Sequence, residues 1–396
     1  LYIPHMSDQA YALAAVFRAF GINAQVLPPA DHRTLELGRK FSSGRECFPF
    51  IITCGDILKK VSEPDFNPQT CVFLMPSANG PCRFGQYHKM HHVILKTLGY
   101  EDVRLMSPNS KYSYTNILNS QFHYRAWLAI LAVEVIEKLT REIRPYELKP
   151  GTTDEIYQHS LQLICQTLEN NEKSLKPVLN EIKNLFSEIP IKREPRRPII
   201  GIVGEVFIRS NSFSNNHLIR KIENLGGEVW VAPFSEWLFY TNHRFKEDSW
   251  RKKDYLAFLK ILLQDRIQRN REHKLFAPFR HLIRNHQEPE TNWLLKLSAP
   301  YIHSSFGGEA ILSVGKAIDY IQKGLAGIIN VMPFTCMYGN TVTAISKKLK
   351  EDFNNFPWLN IAFDGQEDTS LLTHLEAFMH QAQQYQQHYS LQEVSY

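Results

Sequence analysis

The stretch QTCVFLMPSANGPC (69–82) passes from an apolar strand through a Gly-Pro turn to a cysteine, and a helical pattern follows at once. The stretch AGIINVMPFTC (326–336) has the same plan, with an apolar strand and a proline before a cysteine and a helix. Strands that alternate with helices at this spacing predict a parallel sheet. We therefore expect an α/β fold with two Rossmann-like or flavodoxin-like parallel-sheet units.

Outward from these stretches, the chain divides into three parts. Strand and helix patterns alternate over 1–120 and again over 196–396, whereas 121–195 carries long helical patterns and ends in a linker rich in proline and charge. We expect an N-terminal α/β unit, a helical connecting segment and a C-terminal α/β unit, with a cleft between the two units. The length of 396 residues fits two or three domains.

Composition excludes several classes of protein. A net charge of +5 is too dilute to indicate nucleic-acid binding. The longest apolar run, 126–136, is interrupted by Glu134 and is too short to span a bilayer. Six cysteines without a secretory signal indicate a reducing cytoplasm rather than a disulfide framework. Because the chain begins with Leu and opens directly into structured sequence, we expect it to be cut from a longer polypeptide.

One stretch, 244–284, is locally rich in Lys and Arg. A solvated helical face explains such a pattern, and we favour this interpretation. The alternative is a docking surface for an acidic partner or for an acidic cofactor such as coenzyme A.

Three cysteines share one predicted structural context. Cys47 follows a glycine turn, Cys82 follows a Gly-Pro turn, Cys336 follows a strand and a proline, and each precedes a helix. A helix N-terminus presents free N–H groups and partial positive charge, which favour a thiolate, lower the thiol pKa and stabilise an anionic cluster. Strand-to-helix loops converge at one sheet edge. These thiols are therefore candidate ligands of a shared metal cluster.

The other cysteines are interpreted differently. Cys71 lies inside an apolar strand and Cys165 inside a helix, so both are expected to be small core residues. Cys54 lies two helical turns after Cys47 and is also expected in the core, although it is the most plausible spare ligand. From the residues alone, a cluster site and a set of six reduced structural cysteines remain equally plausible.

Several longer motifs resemble the C-terminal part of large fused proteins related to the activases of 2-hydroxyacyl-CoA dehydratases. That part is similar to the superfamily of the 2-hydroxyacyl-CoA dehydratases and the double-cubane-cluster reductases. The resemblance covers nearly the whole chain. The motifs that carry it are SSGRECFPFIITCGD (42–56), GPCRFGQYHKM (80–90), RPYE (144–147), GEVFIRSNSFSNN (204–216), VMPFTCMYGN (331–340) and DGQE (364–367).

The resemblance implies a cofactor and a partner. In that superfamily three cysteines per subunit hold a 4Fe-4S cluster, or half of a double-cubane cluster, and Cys47, Cys82 and Cys336 are the best matches here. An ATP-hydrolysing activase, fused upstream or separate, supplies low-potential electrons, and the substrate is an acyl-CoA or another small molecule. The family pattern has proline where this chain has Tyr338, so the loop of the third cysteine departs from it.

We therefore expect an oxygen-sensitive iron–sulfur module that carries out a reduction or a radical dehydration. Its cluster would have one open coordination site. The alternative is a non-catalytic electron-transfer or cluster-carrying domain of a larger activase protein. Pairing of the chain into a homodimer stays open, because the sequence does not determine the oligomeric state. Cubane geometry predicts that the three sulfur atoms lie within roughly 6–7 Å of each other.

Other residues complete the set of candidates. Glu46 and Glu205 are candidate acid–base groups, or else carboxylates that merely stabilise helix starts. Arg83 and Arg209 are candidates for binding a phosphate or an anionic cluster, with surface ion pairing as the alternative. A zinc site remains open as a weaker alternative, and its ligands would be Cys82 with His88, His91 and His92.

Overall fold

The computed structural model describes residues 1–109, 118–172, 174–192, 194–366 and 370–393. Its strands form two four-stranded sheets. The first sheet contains β1 (Tyr2–Ile3), β2 (Gln25–Val26), β3 (Val72–Leu74) and β4 (Arg104–Met106). The second sheet contains β5 (Ile199–Gly204), β6 (Glu228–Val231), β7 (Gly327–Pro333) and β8 (Trp358–Phe363).

Both sheets have the same strand order. It is β2-β1-β3-β4 in the first sheet and β6-β5-β7-β8 in the second, and the neighbouring strands pair in parallel. This is the order of flavodoxin-like sheets, in which ligands bind beyond the carboxyl ends of the strands. The predicted α/β fold of two parallel-sheet units with a helical middle segment is confirmed.

Helices surround both sheets and fill the segment between them. Those of the first unit are α1 (Gln9–Ala19), α2 (His32–Lys40), α3 (Phe48–Val61) and α4 (Tyr87–Thr97). Those of the middle segment are α5 (Ser120–Ile143), α6 (Thr152–Glu169) and α7 (Lys176–Ser187). Those of the second unit are α8 (Val206–Ser210), α9 (Leu218–Asn224), α10 (Phe234–Arg251), α11 (Tyr255–Phe276), α12 (Thr291–Ser298), α13 (Glu309–Gln322), α14 (Met337–Asp352) and α15 (Leu371–Glu393).

Local chemistry explains where these helices begin. Asn119 caps α5, because its side chain accepts a hydrogen bond from the backbone N–H of Phe122 at 3.0 Å. Pro49 lies in the first turn of α3, where its missing N–H costs nothing. Helix α14 begins directly after Cys336, as expected for a cysteine that precedes a helix. The cysteine is therefore itself the cap of this helix.

One hydrophobic core joins the two sheet units. It contains Phe50 and Phe73 of the first unit together with Ile202, Ile329 and Phe378 of the second. The middle helices form another core with α1 of the first unit. The sheet units therefore pack against each other directly as well as through the helical segment.

Buried ion pairs attach the middle segment to the second unit. Lys138 on α5 and Lys316 on α13 both donate to Glu288, and Arg284 donates to Glu142 on α5 at 3.0 Å. Removing one partner of such a pair would leave a buried charge uncompensated. Among the described residues, no helix combines the length and the apolar character needed to cross a membrane.

Candidate functional site

Each of the three candidate cysteines is the residue immediately before a helix. Cys47 precedes α3 and Cys336 precedes α14, while Cys82 precedes a short 3₁₀ turn (Arg83–Gln86) that leads into α4. All three backbones are extended at the cysteine, as expected for a capping residue. Cys82 and Cys336 follow the equivalent third strands, β3 and β7, of the two sheets.

The guanidinium of Arg83 connects the three cysteine loops. Its Nη1 donates to the carbonyl oxygen of Arg45 at 2.6 Å, and its Nη2 donates to the carbonyl oxygen of Thr335 at 2.8 Å. Arg45 lies two residues before the first cysteine and Thr335 directly precedes the third, while Arg83 itself follows the second. One side chain therefore ties together the backbones that carry all three thiols.

Thr335 has an unusual backbone conformation. Its φ of 62° lies in the left-handed region, which a β-branched residue rarely adopts. Strain of this kind persists only where surrounding contacts impose it. The hydrogen bond from Arg83 to its carbonyl is such a contact, so the loop of Cys336 is held in a set conformation.

The thiols share charged neighbours, but their pKa values contradict the sequence expectation. Burial raises the pKa of Cys82 and of Cys336 to about 12, and Glu205 and Glu309 add to the rise at both. The charge of Cys47 also acts on Cys82. The predicted lowering by helix N-termini is wrong for the metal-free protein, because burial outweighs the N–H groups.

The thiol of Cys47 has a specific partner, the hydroxyl of Tyr87 in the first turn of α4. Burial raises the pKa of Cys47, although Tyr87 and the nearby charge of Arg83 partly offset the rise. Sequence reasoning missed Tyr87, whose only signal was its place five residues after Cys82 on the same helical pattern. The contact links the first cysteine to the helix that follows the loop of the second.

Glu205 lies beside these loops and caps α8. Its carboxylate accepts hydrogen bonds from the N–H groups of Phe207 at 3.1 Å and Ile208 at 2.9 Å. Burial raises its pKa despite these bonds. The structure therefore places Glu205 near the thiols. Its carboxylate also stabilises the start of α8, which was the alternative interpretation of this residue from the sequence.

Sequence reasoning missed Glu309, a second carboxylate near the thiols and the first residue of α13. Burial, reinforced by Glu205, raises its pKa to about 8. Its Oε1 is buried without a hydrogen-bond partner among the described residues and lies 3.7 Å from Nη1 of Arg209. Glu205, Glu309, Asn330 and Tyr338 line a small cavity. This cavity has room for about one water molecule.

Two other candidates have local roles. Glu46 accepts hydrogen bonds from the N–H and the hydroxyl of Ser43, both at 2.9 Å, and from the N–H of Arg45 at 3.1 Å. Although partial burial acts against it, these bonds lower the pKa of Glu46. Arg209 is buried and donates to the carbonyl oxygens of Gly204 and Pro233. Surface ion pairing is therefore the wrong interpretation of Arg209, which is buried, whereas its binding of a phosphate or an anionic cluster stays a prediction.

Tyr338, where the family pattern has proline, packs onto a glycine. A Cβ added at Gly308 would lie 2.2 Å from Cζ of Tyr338, and Gly308 has a φ of 73°. The N–H of Gly308 donates to the hydroxyl of Tyr240 at 3.0 Å. The departure from the family pattern therefore has a structural counterpart, since the ring holds the start of α14 against the loop before α13.

The three histidines after Cys82 do not converge. His91 is buried, stacks on Phe50 and contacts the Thr53 hydroxyl at 3.1 Å. His88 and His92 instead line a surface pocket between α4 and β4. This divergence removes the basis for a zinc site built from Cys82 and these histidines.

The donor set fits a cluster in its chemistry. All six cysteines are free thiols, and the three candidates lie at helix starts that face shared neighbours. Among the described residues, no three Cys, His, Asp or Glu side chains form a group that could hold a single metal ion. A cubane offers separate irons to separate thiols, so its ligands are spread more widely. The sulfur spacing therefore stays a prediction for the loaded protein.

Comparisons with protein-family models and with curated proteins found no match for this chain. The family resemblance therefore rests on the sequence motifs alone. One residue of these motifs, Glu367, lies outside the part of the chain that the structure describes.

Proposed function

We propose that this chain is an iron–sulfur redox module in which Cys47, Cys82 and Cys336 hold a 4Fe-4S cluster or half of a double-cubane cluster. The main support is the bridge that Arg83 makes between the loops of the first and third cysteines. The bridge joins loops of both sheet units to the loop of Cys82, as a ligand site shared by the three cysteines would require.

The residues of the chain would each have a physical task at such a site. The N–H groups at the starts of α3 and α14 face the thiol side and favour negative charge there. The guanidinium of Arg83 adds a positive charge near Cys47. When bound, a cluster with three thiol ligands would supply one-electron transfer at low potential and one coordination position without a cysteine.

Glu309 is the best candidate for holding a proton beside the thiols. Its pKa of about 8, raised by burial and by Glu205, keeps the carboxyl largely protonated at neutral pH. The adjoining cavity has room for about one water molecule, through which a proton could move. In this proposal Glu309 is the acid–base group beside Glu205, whereas the sequence had suggested Glu46 and Glu205 for that role.

The reaction and the partner are proposed from the sequence resemblance. In this proposal, an ATP-hydrolysing activase delivers electrons, and a small molecule or an acyl-CoA undergoes reduction or radical dehydration. The alternative is a module that only carries electrons. It is favoured by the size of the described cavity at Glu205 and Glu309, which suits a water and not an acyl group.

The test of the cluster is anaerobic purification with iron and sulfide analysis and EPR spectroscopy of the dithionite-reduced protein. We expect about four irons per chain for a single cubane and a loss of the signal in Cys82→Ser. Cys165→Ser, at a helical position away from the site, is the matched control. Iron near background after reconstitution would reject the proposal.

A second assay separates the enzyme from the electron carrier. The loaded protein is mixed with an activase of the resembled family, ATP and a panel of acyl-CoA compounds. Substrate-dependent ATP turnover supports an enzyme, whereas reoxidation by an artificial acceptor without any substrate dependence supports the electron-carrying alternative.

A further inference from the structure

An apolar ridge runs along the outer face of helix α11. Its side chains recur at steps of three and four residues and are 44–74% exposed. The ridge extends for about 18 Å along the helix at 1.5 Å per residue. It consists of Tyr255, Leu256, Leu259, Leu262, Leu263 and Ile267.

The ridge lies on the side of α11 that faces away from the protein. Ile261 and Glu272 on the opposite side are buried, and α11 packs there against α10 and α5. At the N-terminal end, Trp250 of α10 contacts Tyr255 with ring centroids 5.8 Å apart. Soluble proteins rarely expose large contiguous apolar surfaces, and those that they expose commonly mark interaction sites.

Charge within α11 is segregated by sign. The two acidic residues within α11 turn inward, since Asp265 pairs with Lys246 at 3.0 Å and Glu272 is buried. The exposed cations of the same helix are Lys260, Arg266, Arg271 and Lys274. The outer face of α11 therefore presents apolar side chains and positive charges. No carboxylate of α11 is exposed there.

This pattern favours one kind of occupant. Arg266 lies one turn after Leu262 and beside Ile267. If the ridge were inserted into a bilayer, the guanidinium of Arg266 would therefore enter the lipid with it. Burying a guanidinium in lipid is costly, which disfavours a membrane as the occupant. A second copy of the chain would bring like charges together. A carboxylate on a protein partner would instead pair with Arg266 in bidentate geometry.

We propose that the α11 ridge docks an amphipathic helix of a partner protein whose apolar stripe is bordered by Asp and Glu. Helix–helix packing would place the partner's stripe in the grooves between the ridge side chains. The carboxylates would lie against Lys260 and Arg266. The proposal is independent of the cysteine site, because none of these residues belongs to the three cysteine loops.

The test uses the full 396-residue chain and fluorescein-labelled helical peptides of about 21 residues with Leu at the a and d positions of each heptad. One peptide carries Glu at its flanking positions and its pair carries Lys. We expect fluorescence anisotropy to show that the Glu peptide binds at least about tenfold more tightly. Leu259→Ser with Leu263→Ser removes apolar contacts without changing the charge and should weaken binding of the Glu peptide, whereas Leu148→Ser, at an exposed site elsewhere, should not.

A charge-reversed variant guards against loss of folding as an explanation. Lys260→Glu with Arg266→Glu changes only exposed residues and should reverse the preference toward the Lys peptide. Equal binding of both peptides would overturn the proposal. Two other results would also overturn the proposal if no preference for the Glu peptide is seen. One is sedimentation of the chain with phosphatidylserine vesicles that requires the ridge, and the other is a dimer in analytical ultracentrifugation that requires the ridge.

Discussion

At the residue scale, Arg83 ties together the loops of three cysteines that lie far apart in the sequence. Its guanidinium binds two carbonyl oxygens from loops of different sheet units. One of these carbonyls belongs to Thr335, which has a left-handed backbone conformation. Such a strained conformation persists only where surrounding contacts hold the loop in place. The side chain is exposed, so its role lies in positioning the loops more than in stabilising the fold.

Replacing Arg83 by alanine should therefore release iron without unfolding the chain. Exposed hydrogen bonds of this kind contribute about 1 kcal/mol or less to folding, whereas loss of a positioning residue lowers metal affinity by about tenfold or more. Iron titration of the reconstituted protein, together with thermal unfolding, measures both effects. Arg33→Ala, which removes an exposed ion pair with Glu36 at 2.8 Å, is the control. Unchanged iron affinity in Arg83→Ala would refute the positioning role.

A second residue-scale prediction concerns the contact between Gly308 and Tyr338. Gly308→Ala should destabilise the protein by about 2–4 kcal/mol, because it adds a clash with the ring to the cost of a positive φ. Gly324→Ala is the matched control, since Gly324 has a φ of 79° with open space around its Cβ. It should cost about 1 kcal/mol. Urea unfolding measures both values, and equal costs would show that the ring does not hold the loop.

At the scale of elements, helices α2 and α3 show why only part of the fold was predictable. The bounds of α3 follow from its apolar run and Pro49. Helix α2 was missed although Asp31 caps it, its side chain accepting a hydrogen bond from the N–H of Thr34 at 2.8 Å; what its local sequence does not reveal is its close packing on α3. A Cβ at Gly38 would lie 2.0 Å from the carbonyl oxygen of Ile51, and one at Gly55 would lie 1.9 Å from that of Thr34. The two glycines let the helices touch, and a sequence pattern within α2 alone does not reveal this.

The same limit applies to the candidate site. Helix starts at Cys47, Cys82 and Cys336 could be predicted from strands, turns and prolines nearby. The rise in thiol pKa could not, because burial depends on the packing of both sheet units. Glu309 was missed for a related reason, since only the fold brings the start of α13 beside Glu205.

Asp56 of α3 provides an element-scale test through pH. Burial raises its pKa to about 8, so between about pH 4 and 8 the folded state binds more protons than the unfolded state. Stability must then fall as pH rises through this window, at up to about 1.4 kcal/mol per pH unit from this group. Asp56→Asn should remove that slope. The free energy of unfolding of the variant minus that of the wild type should increase with pH and level off above about pH 8.

Asp31 serves as the control with opposite sign. A hydrogen bond from Lys59 is the main cause that lowers its pKa to about 2, so its carboxylate stabilises the fold above its unfolded pKa and loses this effect as pH falls. Asp31→Asn should therefore destabilise the protein at neutral pH and become neutral in acid. Urea unfolding from pH 2 to 9 compares both variants, and parallel profiles would contradict the assignment of Asp56.

At the scale of the whole molecule, the two sheet units and the middle helices form one packed body. Phe50 and Phe73 share a core with Ile329 and Phe378 across the units, and Glu288 binds lysines from α5 and α13. The equivalent strand orders place Cys82 and Cys336 after corresponding strands. The site thus depends on the packing of both units.

This shared core predicts a single cooperative unfolding transition for the metal-free chain. Urea curves from far-UV circular dichroism and from tryptophan fluorescence should coincide. They should remain coincident in Phe378→Ala, which should shift both midpoints together through a loss of about 3–5 kcal/mol. Two separated transitions would show that the units fold independently and that the site is assembled from loosely joined parts.

The placement of the three thiols is tested most directly by anomalous diffraction at the iron K-edge from anaerobically grown crystals of the reconstituted protein. We predict anomalous density enclosed by the sulfur atoms of Cys47, Cys82 and Cys336, with irons about 2.3 Å from each sulfur and the sulfurs roughly 6–7 Å apart. Iron bound at other residues, or a Cys336 sulfur that does not contact the iron density, would contradict the proposed centre.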